Sequence, residues 1–166
     1  MNPTLRKGLV VAALHVAIVS SLGAKLLINR ATRPRVWTRA APVDPNLPIR
    51  GRYVSLRLEA AIGPGLVGDS SQAIRITPSQ QDARLVALPA GSGKGLTARI
   101  ADRSGELVAV LDQPVAYFIP EHVADPSRRP AGEELWVEVT LPRAGAPRPI
   151  RLGVKRDGVV TPLELN

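Results

Sequence analysis

Three stretches of this 166-residue chain bring together residue types able to do chemistry. GSGKGLT, Gly91 to Thr97, sets glycines around a lysine in the manner of a phosphate-cradling loop. That motif needs a glycine five residues before Gly93, where Leu88 stands, and Ser or Thr after Lys94, where Gly95 stands. Lacking the glycine spacing, the magnesium-binding hydroxyl and a following helix pattern, it reads as a hairpin loop. Glu121, His122 and Asp125 in PEHVADP are metal-ligand types. A zinc site takes three or four protein ligands, and the other histidine, His15, lies in a long apolar run. The cluster therefore reads as a polar loop, and no metal or other cofactor is expected. Nucleophilic catalysis by a serine–lysine pair would have to use Ser70 or Ser71 with Lys94, or Ser55 with Lys155. No activating signature surrounds these serines, so the chain is not expected to be an enzyme.

Composition narrows the remaining classes. Cysteine is absent, which removes disulfides, thiolate metal sites and cysteine nucleophiles. Aromatic residues are 3% of the chain, so a core must be built from Val, Leu, Ile and Ala. The net charge of +8 invites a nucleic-acid reading, but its distribution does not support one. Residues 1–39 hold Arg6, Lys7, Lys25, Arg30, Arg33, Arg35 and Arg39 and no acid, which is +7; the remaining residues carry +8 − 7 = +1. A nucleic-acid-binding domain shows a basic face on its folded body with aromatic residues for stacking. That pattern is missing here.

The basic arm surrounds an apolar segment, GLVVAALHVAIVSSLGAKLLI, Gly8 to Ile28. Its 21 residues lie within the roughly 17–25 that cross a bilayer. Arg6 and Lys7 precede it as a basic flank, and Lys25 is near enough to its end to extend toward the interface. A signal anchor is the leading reading; a signal peptide cleaved near Ser21-Leu22-Gly23 is one alternative, and a buried soluble helix, against which the basic flanks and the lack of a polar face argue, is the other. His15 at mid-segment is costly against lipid and is expected to face a partner helix or to hydrogen-bond locally. The basic residues after the segment outnumber those before it. Charge counting alone would place the following domain in the cytoplasm.

Residues 29–50, NRATRPRVWTRAAPVDPNLPIR, read as a semi-rigid linker held extended by Pro34, Pro42, Pro45 and Pro48. Trp37 belongs there either at the membrane interface or at the start of a first strand. From Arg52 onward the apolar period is two. Val54, Leu56, Leu58 and Ala60 alternate with Tyr53, Ser55, Arg57 and Glu59, as in a half-buried strand. Short runs of the same kind recur around Ile74, Leu85, Leu96, Val108, Tyr117, Val137 and Leu152. Asp157-Gly158 between two apolar runs is a hairpin signal. Eight or nine short strands with no further amphipathic helix predict an all-β domain, a small sandwich or barrel, over residues 51–166. Residues 1–28 form the anchor.

One constellation remains. PVDPNLPIRGRYVSL, Pro42 to Leu56, and AYFIPEHV, Ala116 to Val123, together resemble the GDYXXLXY family of small membrane-anchored bacterial proteins. Pro42, Asp44 and Pro45 resemble its Pro-x-Asp-Pro lead-in, Arg50-Gly51 its Arg-Gly, and Tyr53 and Leu56 its strand motif. Tyr117, Phe118, Pro120 and Glu121 resemble its second block. Arg52 stands where the family has Asp, and Leu58 where it has the last Tyr. The resemblance implies a bacterial inner-membrane protein with a periplasmic β domain. It brings no established activity. Asp44-Pro45 suits a turn and Gly51 a bend, and Arg50 is expected to pair with Glu121 or Asp44. Asp44, Pro45, Arg50, Gly51, Arg52, Tyr53, Tyr117, Pro120 and Glu121 thus form a candidate docking or structural patch. The expected function is a non-catalytic interaction or assembly subunit, beside a polytopic membrane protein. A small-ligand or envelope-polymer binding module, with a cleft by Tyr53 and Tyr117, is the alternative; a Ser/Lys hydrolase stands third.

Overall fold

The structure, a computed structural model, describes residues 3–43, 53–68, 72–91 and 95–165. It divides into two compact units, residues 1–33 and 34–166. The first is one α-helix, α1 (Pro3–Thr32), opening on a proline whose missing N–H costs nothing at a helix start. Arg6–Ile28 is long and apolar enough to cross a membrane, with none of its surface buried. Apolar residues such as Leu9, Val11, Leu14, Ile18, Leu22 and Leu26 are exposed all around it, and no polar face interrupts them. Three of its polar side chains, His15, Ser21 and Thr32, bond to the helix's own backbone. The ring of His15 bonds through Nδ1 to the Val11 carbonyl at 2.8 Å, and the Ser21 hydroxyl donates to the Ile18 carbonyl at 2.8 Å. Such local bonds are what hydrocarbon demands of a polar group.

Among the described residues, the second unit holds ten strands: β1 (Arg35–Val43), β2 (Tyr53–Ile62), β3 (Ala73–Gln81), β4 (Arg84–Pro89), β5 (Leu96–Arg103), β6 (Glu106–Leu111), β7 (Val115–Phe118), β8 (Glu134–Thr140), β9 (Arg148–Arg156) and β10 (Val159–Pro162). Six close a barrel in the order β1-β4-β3-β5-β6-β2 and back to β1. The sheet continues from β1 through β8, β9 and β10, and from β2 to β7. The expectation of a small all-β domain behind an apolar helix holds, as a barrel with extra strands.

The expected linker is corrected. Residues 35–43 are β1, paired with β8 through Val36↔Val139 and with β2 through Ala41↔Arg57. Its prolines obscured the alternation of Val36, Thr38 and Ala40, which are all buried. Pro42 is tolerated because the β8 ladder ends at Arg39, so no neighbour on that side needs its N–H. Trp37 accordingly lies in a first strand, one of its two expected places.

The barrel closes at one irregular junction. Arg39↔Glu59 ends the β1–β2 ladder. Beyond it the strands part, and β4 enters between them, parallel to both, with Trp37↔Arg84 on one side and Ala61↔Val86 on the other. The Thr38 hydroxyl donates to the Glu59 carbonyl there, serving an acceptor at the point where the ladder breaks.

The core is aliphatic, as the shortage of aromatic residues requires. Leu56, Leu58, Ile76, Leu85, Leu111, Val137 and Leu152 are almost wholly buried, with Ala60, Ala87, Ala98 and Ala109 where strands approach closely. The tight turns need left-handed backbone. Asp157-Gly158 (φ 50° and 82°) and Ser104-Gly105 (56° and 88°) place glycine second, whereas Asp82-Ala83 (47° and 60°) forces an alanine into that region.

Candidate functional site

Period-two alternation sends Trp37 and Arg39 of β1, Glu59 and Ala61 of β2, Trp136 and Glu134 of β8, and Lys155 of β9 to the face turned away from the core. Register sets them side by side: Arg39 lies between Glu59 and Trp136, and Glu134 lies opposite Lys155. Where β1 and β2 part around β4, this face opens into a cleft of about 140 Å³. Arg84, Arg103, Glu106 and Val108 complete its walls.

Glu59 is the centre of the cleft. Its side chain is only 3% exposed. Oε1 accepts a hydrogen bond from Arg103 Nε at 2.9 Å. Oε2 has Arg39 Nε at 3.7 Å, close enough for charge attraction but beyond a hydrogen bond. No described residue donates to Oε2, although the atom is buried. Charges then alternate outward: Arg103, Glu59, Arg39, Glu134, the last pair 3.4 Å apart. The Trp136 indole donates to Glu134 Oε2 at 3.0 Å, and Lys155 Nζ stands 4.6 Å from the Trp136 ring centre. Trp37 is held likewise. Arg151 lies over its ring at 5.5 Å while pairing with Glu138 at 2.7 Å, and Gly153 lies so close beneath that a Cβ there would fall 2.7 Å from the ring. Both indoles are therefore fixed by their neighbours. The arrangement presents indole edges, guanidiniums and one unserved carboxylate oxygen. Eight of the thirteen described residues that line it are polar or charged, so the cleft is a charged groove with two indoles in its wall.

The sequence did not single out this cleft. In the sequence Glu59 is an ordinary outward residue of a half-buried strand, and the two tryptophans stand 99 residues apart. The usable signal was that both sit in phase with charged residues on alternating strands.

Of the expected patch, Asp44, Pro45, Arg50, Gly51 and Arg52 lie outside the described residues, and with them the pairing expected of Arg50. Tyr53 and Tyr117 do not form one surface. β2 and β7 pair as Tyr53↔Phe118 and Val54↔Tyr117, so the two tyrosines occupy successive rows and point to opposite faces. Tyr53 meets Phe118, ring centres 6.1 Å apart, while Tyr117 packs against the core. Pro120 and Glu121 are exposed in the turn after β7, where Val123 N–H donates to the Pro120 carbonyl.

Asp125 accepts from the Ser127 N–H and hydroxyl at 2.9 and 2.7 Å. No group of three metal-ligating side chains occurs among the described residues. Ser70, Ser71 and Lys94 lie outside them. Ser55 lies opposite Val43 at the far end of β1, well away from Lys155 over Trp136. Compared with protein-family models, curated proteins and solved structures, the chain matches none.

Proposed function

We propose that the protein is a membrane-anchored, non-catalytic binding subunit whose barrel domain takes its ligand in the Glu59 cleft. The observation that carries this reading is Oε2 of Glu59, a buried acceptor to which no described residue donates. Leaving such a group unserved costs about 1–3 kcal/mol, a cost that a bound donor would recover. Among the described residues, the cleft lining includes no Ser, Cys or His, and its one side-chain hydroxyl, Thr38, is committed to the Glu59 carbonyl. This composition suits holding a ligand better than transforming one. The apolar helix supplies attachment to a membrane, and the likeness to the GDYXXLXY motif supports a bacterial inner membrane with the domain on its periplasmic side.

Two measurements test this reading. A photo-crosslinking residue in place of exposed Glu106, which lines the cleft, should capture a saturable partner in native membranes, and Glu59→Gln should weaken that capture. The same probe in place of exposed Val159 should not capture it; equal capture from both positions would sink the proposal. Because the chain has no cysteine, Val159→Cys provides a single thiol. A membrane-impermeant maleimide should label it once the outer membrane is opened; labelling only after lysis would put the domain in the cytoplasm.

Assembly beside a polytopic membrane protein is a second reading, favoured by His15. With Nδ1–H donated to the Val11 carbonyl, Nε2 of the neutral ring is left as an acceptor, and a helix carrying a polar donor suits it. His15→Leu should abolish co-purification of such a protein if this reading holds.

A further inference from the structure

We infer that the cleft holds an acidic sugar: a single pyranose ring donating a hydroxyl to Glu59 Oε2 and placing its carboxylate on Arg84. This deepens the binding reading and rests on it.

The first argument concerns what Glu59 lacks. Two guanidiniums already flank its carboxylate, Arg103 at 2.9 Å and Arg39 at 3.7 Å. The charge is balanced; the missing partner is a hydrogen-bond donor. Among the described residues, the cleft is lined by Arg39, Arg84, Arg103 and Lys155 against Glu59, Glu106 and Glu134, a surplus of one positive charge. An ammonium group or metal ion would add to that surplus and meet repulsion from several sides. A neutral hydroxyl would not, and it can also accept from a guanidinium while it donates to the carboxylate.

The second argument concerns Arg84. It is exposed at the rim and makes no ion pair with any described residue, unlike Arg39 and Arg103. A planar fork of donors without an acid is the group that takes a carboxylate in two parallel bonds.

The third argument concerns shape. At about 140 Å³ the cleft is well below the ~300–1,000 Å³ of pockets that enclose drug-sized ligands. One six-membered ring enters, and a longer glycan would continue outside. Trp37 and Trp136, whose rings are covered by Arg151, Gly153 and Lys155, offer such a ring their apolar edges.

The chain contains two tryptophans, and both line the cleft, so intrinsic indole emission reports on this site alone. The full chain, in a detergent without a sugar headgroup, is titrated with D-glucuronate, D-glucose and acetate. Glucuronate should give a saturable change, glucose a change at about tenfold higher concentration, and acetate none over the same range. Arg84→Ala should bring glucuronate to the level of glucose with the melting temperature unchanged. Glu59→Gln should weaken both sugars. A flat glucuronate titration, an acetate response equal to it, or an Arg84→Ala variant that keeps the preference for glucuronate would each overturn the inference. The crosslinker at position 106 separates this failure from failure of the binding reading. If the sugars are silent while the crosslinker captures a protein, the ligand is a polypeptide and only the sugar assignment falls. If both are silent, both fall.

Discussion

Glu59 shows how one residue can be paired by charge and still be incomplete. Its two arginine partners are each about two-fifths exposed, 41% for Arg39 and 42% for Arg103. Removing the acid therefore leaves guanidiniums that water can reach, not stranded buried charges. Glu59→Ala should cost about 1–2 kcal/mol, less than the 3–5 typical of breaking a fully buried pair. Thermal melting of the detergent-solubilised chain measures this. A loss above about 4 kcal/mol would mean that Glu59 is chiefly structural. Leu58, its neighbour toward the core, is wholly buried, and Leu58→Ala should cost about 2–5 kcal/mol. The sequence distinguishes these two residues only by parity, since alternation tells which side a residue takes but not what stands beside it. The unserved oxygen becomes visible once β1 is known to lie alongside β2.

At the scale of elements, the turns and the junction explain what the sequence disclosed and what it did not. Asp157-Gly158 and Ser104-Gly105 announce their hairpins because glycine occupies the left-handed position. Gln81-Asp82-Ala83-Arg84 carries no such signal, yet Ala83 has φ 60°. Ala83→Gly should relieve that conformation and raise stability by about 0.5–1 kcal/mol, or Tm by about 2–4 °C. An unchanged or lower Tm would show that the turn is not strained. Gly153→Ala should do the opposite, because its Cβ would meet Trp37 at 2.7 Å and the Thr161 carbonyl at 3.0 Å. Melting should fall and Trp37 emission should shift together. β1 is hidden for a different reason: Pro34 before it and Pro42 within it belong to the local chemistry of a linker, and its place is set by β8 and β4, far away in sequence. Local pattern cannot record a partner so distant.

For the whole molecule, the barrel depends on a strand that composition assigns to the arm. A chain beginning at Pro34 retains every strand and should be soluble with a single cooperative melt. A chain beginning at Gly51, the start expected from the sequence, lacks β1. It would leave β2, β4 and β8 with unpaired edges, and it should aggregate or melt without cooperativity. Circular dichroism and size-exclusion chromatography of the two chains decide between these outcomes. The all-β class and the apolar helix were legible because they rest on periodicity and length. The closed barrel was not, because closure is a matter of which distant strands meet.

The position of β1 also sets a timetable. The strand leaves the ribosome early, yet Trp37 pairs with Glu138, a hundred or so residues later. At about 5–20 residues per second of synthesis, that is a wait of roughly 5–20 s. Throughout that interval β1 has one side without its partner, and no barrel built on long-range pairings closes quickly. Newly made chains should therefore pass through a protease-sensitive period that ends only when β8 arrives, and factors that shield open strand edges should act on this protein during its synthesis.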